Sequence, residues 1–197
     1  MKALVIFILL STQVLVESCV FENEVCTCNS SINFQILCSK KSSYKILDLS
    51  KLNFSSNGKL MHISIHYKTI ESIEPIAIAD VIELDISNGL IKQIINKPFR
   101  HLNKLERLRL ASNQIEFIED GSFENLSSLQ KLWLLSNKLS YIKNGTFAGL
   151  RNLNLLVLRT NEIEYIEAGA FQHLKNITDI WLYCNGVYRG LLIRWSF

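Results

Sequence analysis

The sequence predicts an α/β-type repeat solenoid, with short parallel β-strands on a concave face and loops or short helical turns on a convex face. Three observations predict it. One pattern recurs three times between Leu105 and Asn176 at a fixed interval, the step from Leu108 to Leu132 and again to Leu156. Each copy carries an alternating apolar stretch such as Leu108-Arg109-Leu110. An asparagine and then a phenylalanine follow at fixed offsets.

The first copy runs Leu105, Leu108, Leu110, Asn113, Ile115, Ile118, Phe123, Leu126. The second is Leu129, Leu132, Leu134, Asn137, Leu139, Ile142, Phe147, Leu150, and the third is Leu153, Leu156, Leu158, Asn161, Ile163, Ile166, Phe171, Leu174. Alternation with period two means a short strand with one buried face. The asparagine then turns the chain. Its amide has donors and an acceptor that can bond backbone of its own turn and the next, which would otherwise be orphaned. Phe123, Phe147 and Phe171 fall on the return path and are expected to stack. One copy of two dozen positions cannot bury its apolar face, whereas stacked copies share a continuous core. The pattern L-x-x-L-x-L-x-x-N-x-I-x-x-I with a following F-x-x-L resembles the typical, extracellular class of leucine-rich repeat. That resemblance implies a curved horseshoe.

The chain has 197 residues, is 48% apolar and carries a formal charge of +3. This suffices for one domain with a sizeable core. The basic excess is too small to call for nucleic acid. No nucleophile elbow, phosphate loop or helical H-E-x-x-H appears, so the reading is of a chain that is not an enzyme and uses no metal or cofactor.

The start reads as a signal peptide over residues 1–18. Lys2 precedes the apolar run Ala3 to Leu10, and Val16 and Ser18 suit a small-residue cleavage rule that leaves Cys19 first. The run is too short to favour a spanning helix, so no membrane span is expected after cleavage, and the location is secreted or extracellular. Residues 19–43 hold Cys19, Cys26, Cys28 and Cys38. Four clustered cysteines in an exported chain read as two disulfides. A zinc site competes, but no second ligand pair lies nearby. Spacing alone leaves three pairings open. The cluster resembles the cysteine-rich N-terminal flank of leucine-rich repeat proteins, which implies Cys19–Cys28 and Cys26–Cys38.

Repeats occupy 44–185. Leu47-Asp48-Leu49 looks like a first strand in a short, irregular unit. A unit three positions shorter than the rest begins at Leu60, with Lys68 in the asparagine position and Pro75 on its return path. The next unit, from Val81, regains the full period but has Gly89 where asparagine belongs. The asparagine column should therefore be broken on the N-terminal side. The last unit has Ile177, Ile180, Leu182 and Asn185, then passes into an irregular tail at 186–197 with no second cysteine cluster. Leu191, Leu192, Ile193, Trp195 and Phe197 in that tail could cover the end of the solenoid.

Residues alternating with the buried leucines point out from the concave sheet. The expected ligand-binding set is Arg107, Arg109, Lys131, Trp133, Val157, Arg159, Trp181 and Tyr183, in which Trp133, Val157 and Trp181 share one column. Trp, Tyr and Arg are the usual interface anchors. His62 and His66 lie on one strand face roughly 13 Å apart, too far to share a metal ion. Cys184 falls in register with Ser112, Ser136 and Thr160 and is expected as a semi-buried free thiol. Sequons stand at Asn29, Asn53, Asn125, Asn144 and Asn176, the last three off the strands.

The sequence thus implies a secreted binding protein that recognises a protein or glycoconjugate on its concave face. The resemblance places it among proteins of innate immunity, adhesion or receptor recognition. Two other readings stand beside it: a matrix protein that self-associates as a homodimer through its uncapped end, and a truncated ectodomain of a membrane receptor.

Overall fold

The computed structural model describes residues 62–65, 69–76, 78 and 80–186, and the backbone alone of 16–21, 24–29, 34–38, 46–47 and 61. One sheet carries nine strands: β1 (Val16–Phe21), β2 (Glu24–Asn29), β3 (Phe34–Cys38), β5 (Met61–Ile65), β7 (Val81–Asp85), β9 (Arg107–Arg109), β11 (Lys131–Trp133), β13 (Leu155–Val157) and β15 (Asp179–Trp181), in that spatial order. The first two pairings are antiparallel; from β3 to β15 every pairing is parallel. Two-residue strands alternate with them on the return wall: β4 (Ile46–Leu47), β6 (Ser72–Ile73), β8 (Gln93–Ile94), β10 (Phe117–Ile118), β12 (Tyr141–Ile142) and β14 (Tyr165–Ile166). The chain therefore forms a parallel-strand solenoid of about five turns, as expected.

Register reproduces the sequence period. Leu84, Leu108, Leu132, Leu156 and Ile180 pair as Cα partners along one line, each one repeat from the next. All but the last are fully buried. The shortened unit shows as an irregularity: Met61 pairs with Val81, but His62 pairs with Glu83. β7 carries one extra residue at that point, a bulge.

The asparagines hold the turns together. Asn137 Nδ2 donates to the carbonyls of Leu110 and Leu134 at 3.0 Å each, and its Oδ1 accepts from the Ile115 amide at 3.0 Å. Asn113, Asn161 and Asn185 repeat this arrangement one turn apart. Every Nδ2 bonds its own turn and the preceding one, so the ladder welds neighbouring turns through backbone that water cannot reach. The ladder begins at Asn113. At Gly89 there is no amide side chain to contribute, and only the regular backbone bond remains, Leu90 N–H to Ile70 O at 2.7 Å, which Gln114, Lys138 and Glu162 also make in later turns. This is the expected break.

The second spine is aromatic. Phe99, Phe123, Phe147 and Phe171 stack with ring centroids 6.1, 6.4 and 5.9 Å apart and near-parallel planes. Phe99 extends the predicted trio by one turn. Around each ring the chain makes successive i→i−3 bonds, such as Leu126 N–H to Phe123 O and Leu129 N–H to Leu126 O. These are short 3₁₀-type turns rather than helices. Gly149 is needed there, because its φ is +97° and a Cβ would lie 2.7 Å from the Phe123 carbonyl oxygen.

The signal segment and cap fall mostly outside the described residues. β1 starts at Val16, just before the expected first mature residue, Cys19. Register sets Cys19 opposite Cys26 and Cys28 opposite Ile36, but the side chains of the four cap cysteines, and therefore their expected bridges, lie outside the described residues. The same holds for the side chain of Asn29 and for Asn53, His66 and the tail beyond Gly186.

Candidate concave recognition surface

Strands β7 to β15 present two columns on the inner face. One reads Glu83, Arg107, Lys131, Leu155, Asp179, and the other Asp85, Arg109, Trp133, Val157, Trp181. Strand alternation turns these residues away from the leucine line. Just past each strand a third set follows, in which Arg159 and Tyr183 occupy successive turns.

At the N-terminal side the surface is ionic and internally satisfied. Glu83 accepts from Arg107 Nε at 2.9 Å, forms an ion pair with Arg109, and meets His62 Nδ1 at 2.9 Å. Burial, then the positive charge of Arg107, hold the His62 imidazole below its ordinary pKa; Glu106 pulls the other way, and Arg109 adds a smaller push downwards. The neutral ring donates Nδ1–H to Glu83. Its Nε2 is buried without a hydrogen-bond partner. Because Glu83 engages both arginines, its charge does not rescue the imidazolium.

Towards the C-terminal side the surface becomes aromatic. The Arg109 guanidinium lies 4.5 Å from the Trp133 ring centroid. Trp181 and Tyr183 are tilted neighbours at 6.5 Å, and Arg159 sits 5.7 Å over Tyr183. Each arginine–ring pair is a cation–π arrangement, worth about 0.5–1 kcal/mol at exposed sites, and each fixes a long side chain that would otherwise lose entropy on binding. Trp181 and Tyr183 are 43% and 46% exposed, large values for aromatic groups. Lys131 is exposed, and neither it nor Arg159 has an ion-pair partner among the described residues.

Val157 departs from expectation. It is only 1% exposed and so cannot be a contact residue. Its Cα partners on either side are Trp133 and Trp181. A short branched side chain set between two larger ones shows less surface than either. The apolar stripe is thus open at its indoles, with a buried valine between them in register.

Cys184 also departs. It is free and exposed rather than semi-buried. Asn88, Ser112, Ser136, Thr160 and Cys184 form one column, and all five have φ between 53° and 65°. The turn requires a left-handed residue just before each asparagine position, and tolerates one without glycine because the inter-turn backbone bonds over-determine it: Asn88, Ser112, Ser136 and Thr160 each donate N–H to a carbonyl of the following turn. Periodicity shows the column but not its sign of φ; the run of small or polar residues was the available signal.

Among the sequons, Asn125 and Asn176 are exposed and Asn144 is half-buried. Asn144 Oδ1 accepts from Gln172 Nε2 at 2.5 Å, and Asn176 Nδ2 donates to Asn152 at 2.7 Å. No group of histidine, cysteine or acidic side chains able to hold a metal occurs among the described residues. No helix there is long and apolar enough to cross a membrane.

A rigid parallel-strand solenoid with an aromatic and cationic inner wall defines a class of repeat protein. The leucine rich repeat family model matches residues 79–139 and 127–185. Those segments span more than half of the chain, and the chain belongs to that family. Similar solved structures include the TLR13–ssRNA13 complex, with a TM-score of 0.54 and 24% identity over 81% of this chain and 19% of that one. The Toll–Spatzle complex, described as a molecular hub in Drosophila development and innate immunity, has a TM-score of 0.60 and 21% identity over 65% of this chain and 18% of that one. Its glycosylated form gives 0.65 and 21% identity over 80% and 21%. At these identities the likeness is one of fold, and the chain spans about a fifth of the length of those structures. No curated protein matches the chain.

Proposed function

We propose that the chain is an extracellular, non-catalytic recognition module that binds a protein or glycoconjugate on its concave face. In this reading residues 1–18 direct export. The flank at 19–43 closes the N-terminal end of the core through Cys19–Cys28 and Cys26–Cys38, and residues 44–185 form the recognition solenoid. Sugars on Asn125, Asn144 and Asn176 lie off the strands and leave the inner wall free. Receptor-type recognition is carried over from the Toll and TLR13 complexes as a reading of kinship in fold.

The observation that carries the proposal is the run Arg109, Trp133, Trp181, Tyr183, Arg159. Its cations are already stacked on its rings, yet two of the rings stay open to solvent. Aromatic and arginine anchors on a preorganised frame are what a binding surface needs. Arg107 and Arg109 are engaged by Glu83, which leaves Lys131 and Arg159 as the available charges. That balance favours a protein or sugar with a few acidic groups over a polyphosphate backbone.

Affinity capture from extracellular fluid tests this. The full chain should retain a defined ligand, and the Trp133→Ala/Trp181→Ala variant should lose at least about tenfold in affinity, the loss expected for two truncated anchors. Undiminished capture by that variant, with its circular dichroism unchanged, would remove the concave face from the proposal.

A further inference from the structure

A second exposed aromatic column lies on the return wall and takes no part in the inner face. Phe117, Tyr141 and Tyr165 stand one turn apart, at 38%, 42% and 55% exposure. Tyr141 and Tyr165 stack at 5.0 Å, and Lys143 Nζ lies 5.2 Å from the Phe117 ring centroid. The short ladders pair β8 with β10 and β12 with β14, with no pairing between β10 and β12. At that break Lys143 N–H turns to the Thr146 hydroxyl at 3.0 Å, whereas Glu119 and Glu167 one turn away on either side bond the preceding turn. Exposed rings that recur on one wall are an interface signature.

The charges beside this column identify its occupant. On one side, Lys92, Glu116, Ser140 and Glu164 follow turn by turn; on the other, Ile95, Glu119, Lys143 and Glu167. Consider a second copy laid face to face, related by a twofold axis that runs along the strand direction through the break. Such an axis reverses the order of turns and keeps each column opposite itself. Lys92 then meets Glu164 of the other copy, Glu119 meets Lys143, and Phe117 meets Tyr141, each twice. No like charges face each other. Moving the axis onto the Tyr141 turn sets Glu116 against Glu164, Glu119 against Glu167, and Lys143 against itself. Turning the axis along the solenoid sets Glu116 against Glu119 and Glu164 against Glu167. Only the axis at the break is free of repulsion among these three, and a surface complementary to itself under one twofold operation is what an isologous dimer requires.

We propose that this wall is a homodimer interface with its twofold axis between the Phe117 and Tyr141 turns. The patch spans four turns, about 15 Å at the usual strand spacing. It lies at the small end of specific interfaces, so the dimer is weak and reversible. Its charged rim makes it weaker as salt rises.

Sedimentation equilibrium of the full chain tests the proposal by charge exchange. Lys92 and Glu164 are both exposed, and neither side chain has a hydrogen bond or ion pair among the described residues. The wild-type chain should show a concentration-dependent dimer. Lys92→Glu alone and Glu164→Lys alone should each raise the dissociation constant about tenfold or more, since each sets like charges together twice. An equimolar mixture of these two variants should restore association, because only the mixed dimer pairs opposite charges. Trp133→Ala/Trp181→Ala should leave the dimer intact, which separates this surface from the concave one. A wild-type chain monomeric at all concentrations would overturn the proposal. So would single variants that dimerise like wild type, a mixture that fails to associate, or a dimer seen only when Asn144→Gln has removed a glycan beside Lys143.

Discussion

Replacing Asn137 by alanine isolates what the asparagine ladder contributes. The substitution removes four bonds: to Leu110 O, to Leu134 O, a longer one to Leu135 O, which keeps the Ser112 N–H at 3.0 Å, and from Ile115 N–H. The consequences are unequal. Leu110 O keeps a bond from Asn113 at 3.2 Å, and Leu134 O keeps one from Asn161 at 2.9 Å. Those two losses cost about 1 kcal/mol each, whereas the orphaned Ile115 amide costs about 1–3 kcal/mol. The sum is about 3–5 kcal/mol, a large part of the roughly 5–15 kcal/mol that typically holds a domain together. Urea unfolding followed by circular dichroism should show a lower midpoint. Asn137→Asp should be no better, since the carboxylate keeps an acceptor for Ile115 but turns a second oxygen towards two carbonyls. Asn185→Ala should cost less, because its site is only partly buried and ends the described ladder. A loss under about 1 kcal/mol for Asn137→Ala, the floor for one orphaned buried amide, would refute the reasoning, since the turns would then be held by leucine packing alone.

Other outcomes follow from the same frame. Phe147→Ala should cost about 3–5 kcal/mol as a fully buried ring, and Phe171→Ala less, because Phe171 is only half-buried; chemical denaturation of both variants decides the order. Gly149→Ala should lower the thermal midpoint markedly, given its positive φ and the 2.7 Å approach to Phe123 O, whereas Gly121→Ala meets nothing nearer than 3.7 Å and should lose less. The depressed His62 pKa means that the unfolded chain binds the extra proton, so stability is full above about pH 6.5 and falls as pH drops through that value. In His62→Gln that component of the pH profile should vanish, while Glu83, Arg107, Arg109 and Glu106 remain around the site. A wild-type profile flat from about pH 7.5 to 5 in this component would contradict it.

Much of the frame was legible because it is periodic. Leu108, Asn113, Ile115 and Phe123 must each meet their counterparts one repeat further on, and only stacking in register allows that. The N-terminal break was legible for the same reason, since Gly89 has no amide side chain to offer. The burial of Val157 was not legible. Alternation correctly turns it outward, but its exposure depends on neighbours from other turns, among which register sets Trp133 and Trp181 beside it. The left-handed column from Asn88 to Cys184 was hidden because the backbone conformation is imposed by bonding between turns and not by the residue itself. The aromatic column of Phe117, Tyr141 and Tyr165 was in plain register, yet it sits beside core isoleucines on the return wall, where attention to the strand face passes it by. The ionic cluster around Glu83 needed three strands to assemble and left no local mark.

Radical footprinting of the chain with its captured ligand bears most directly on the claim that the inner wall does the recognising. Oxidation should fall at Trp133, Trp181 and Tyr183 on ligand addition at constant protein concentration, with Phe117, Tyr141 and Tyr165 unchanged. Protection confined to the return-wall column, or none at either surface while ligand is demonstrably bound, would contradict it.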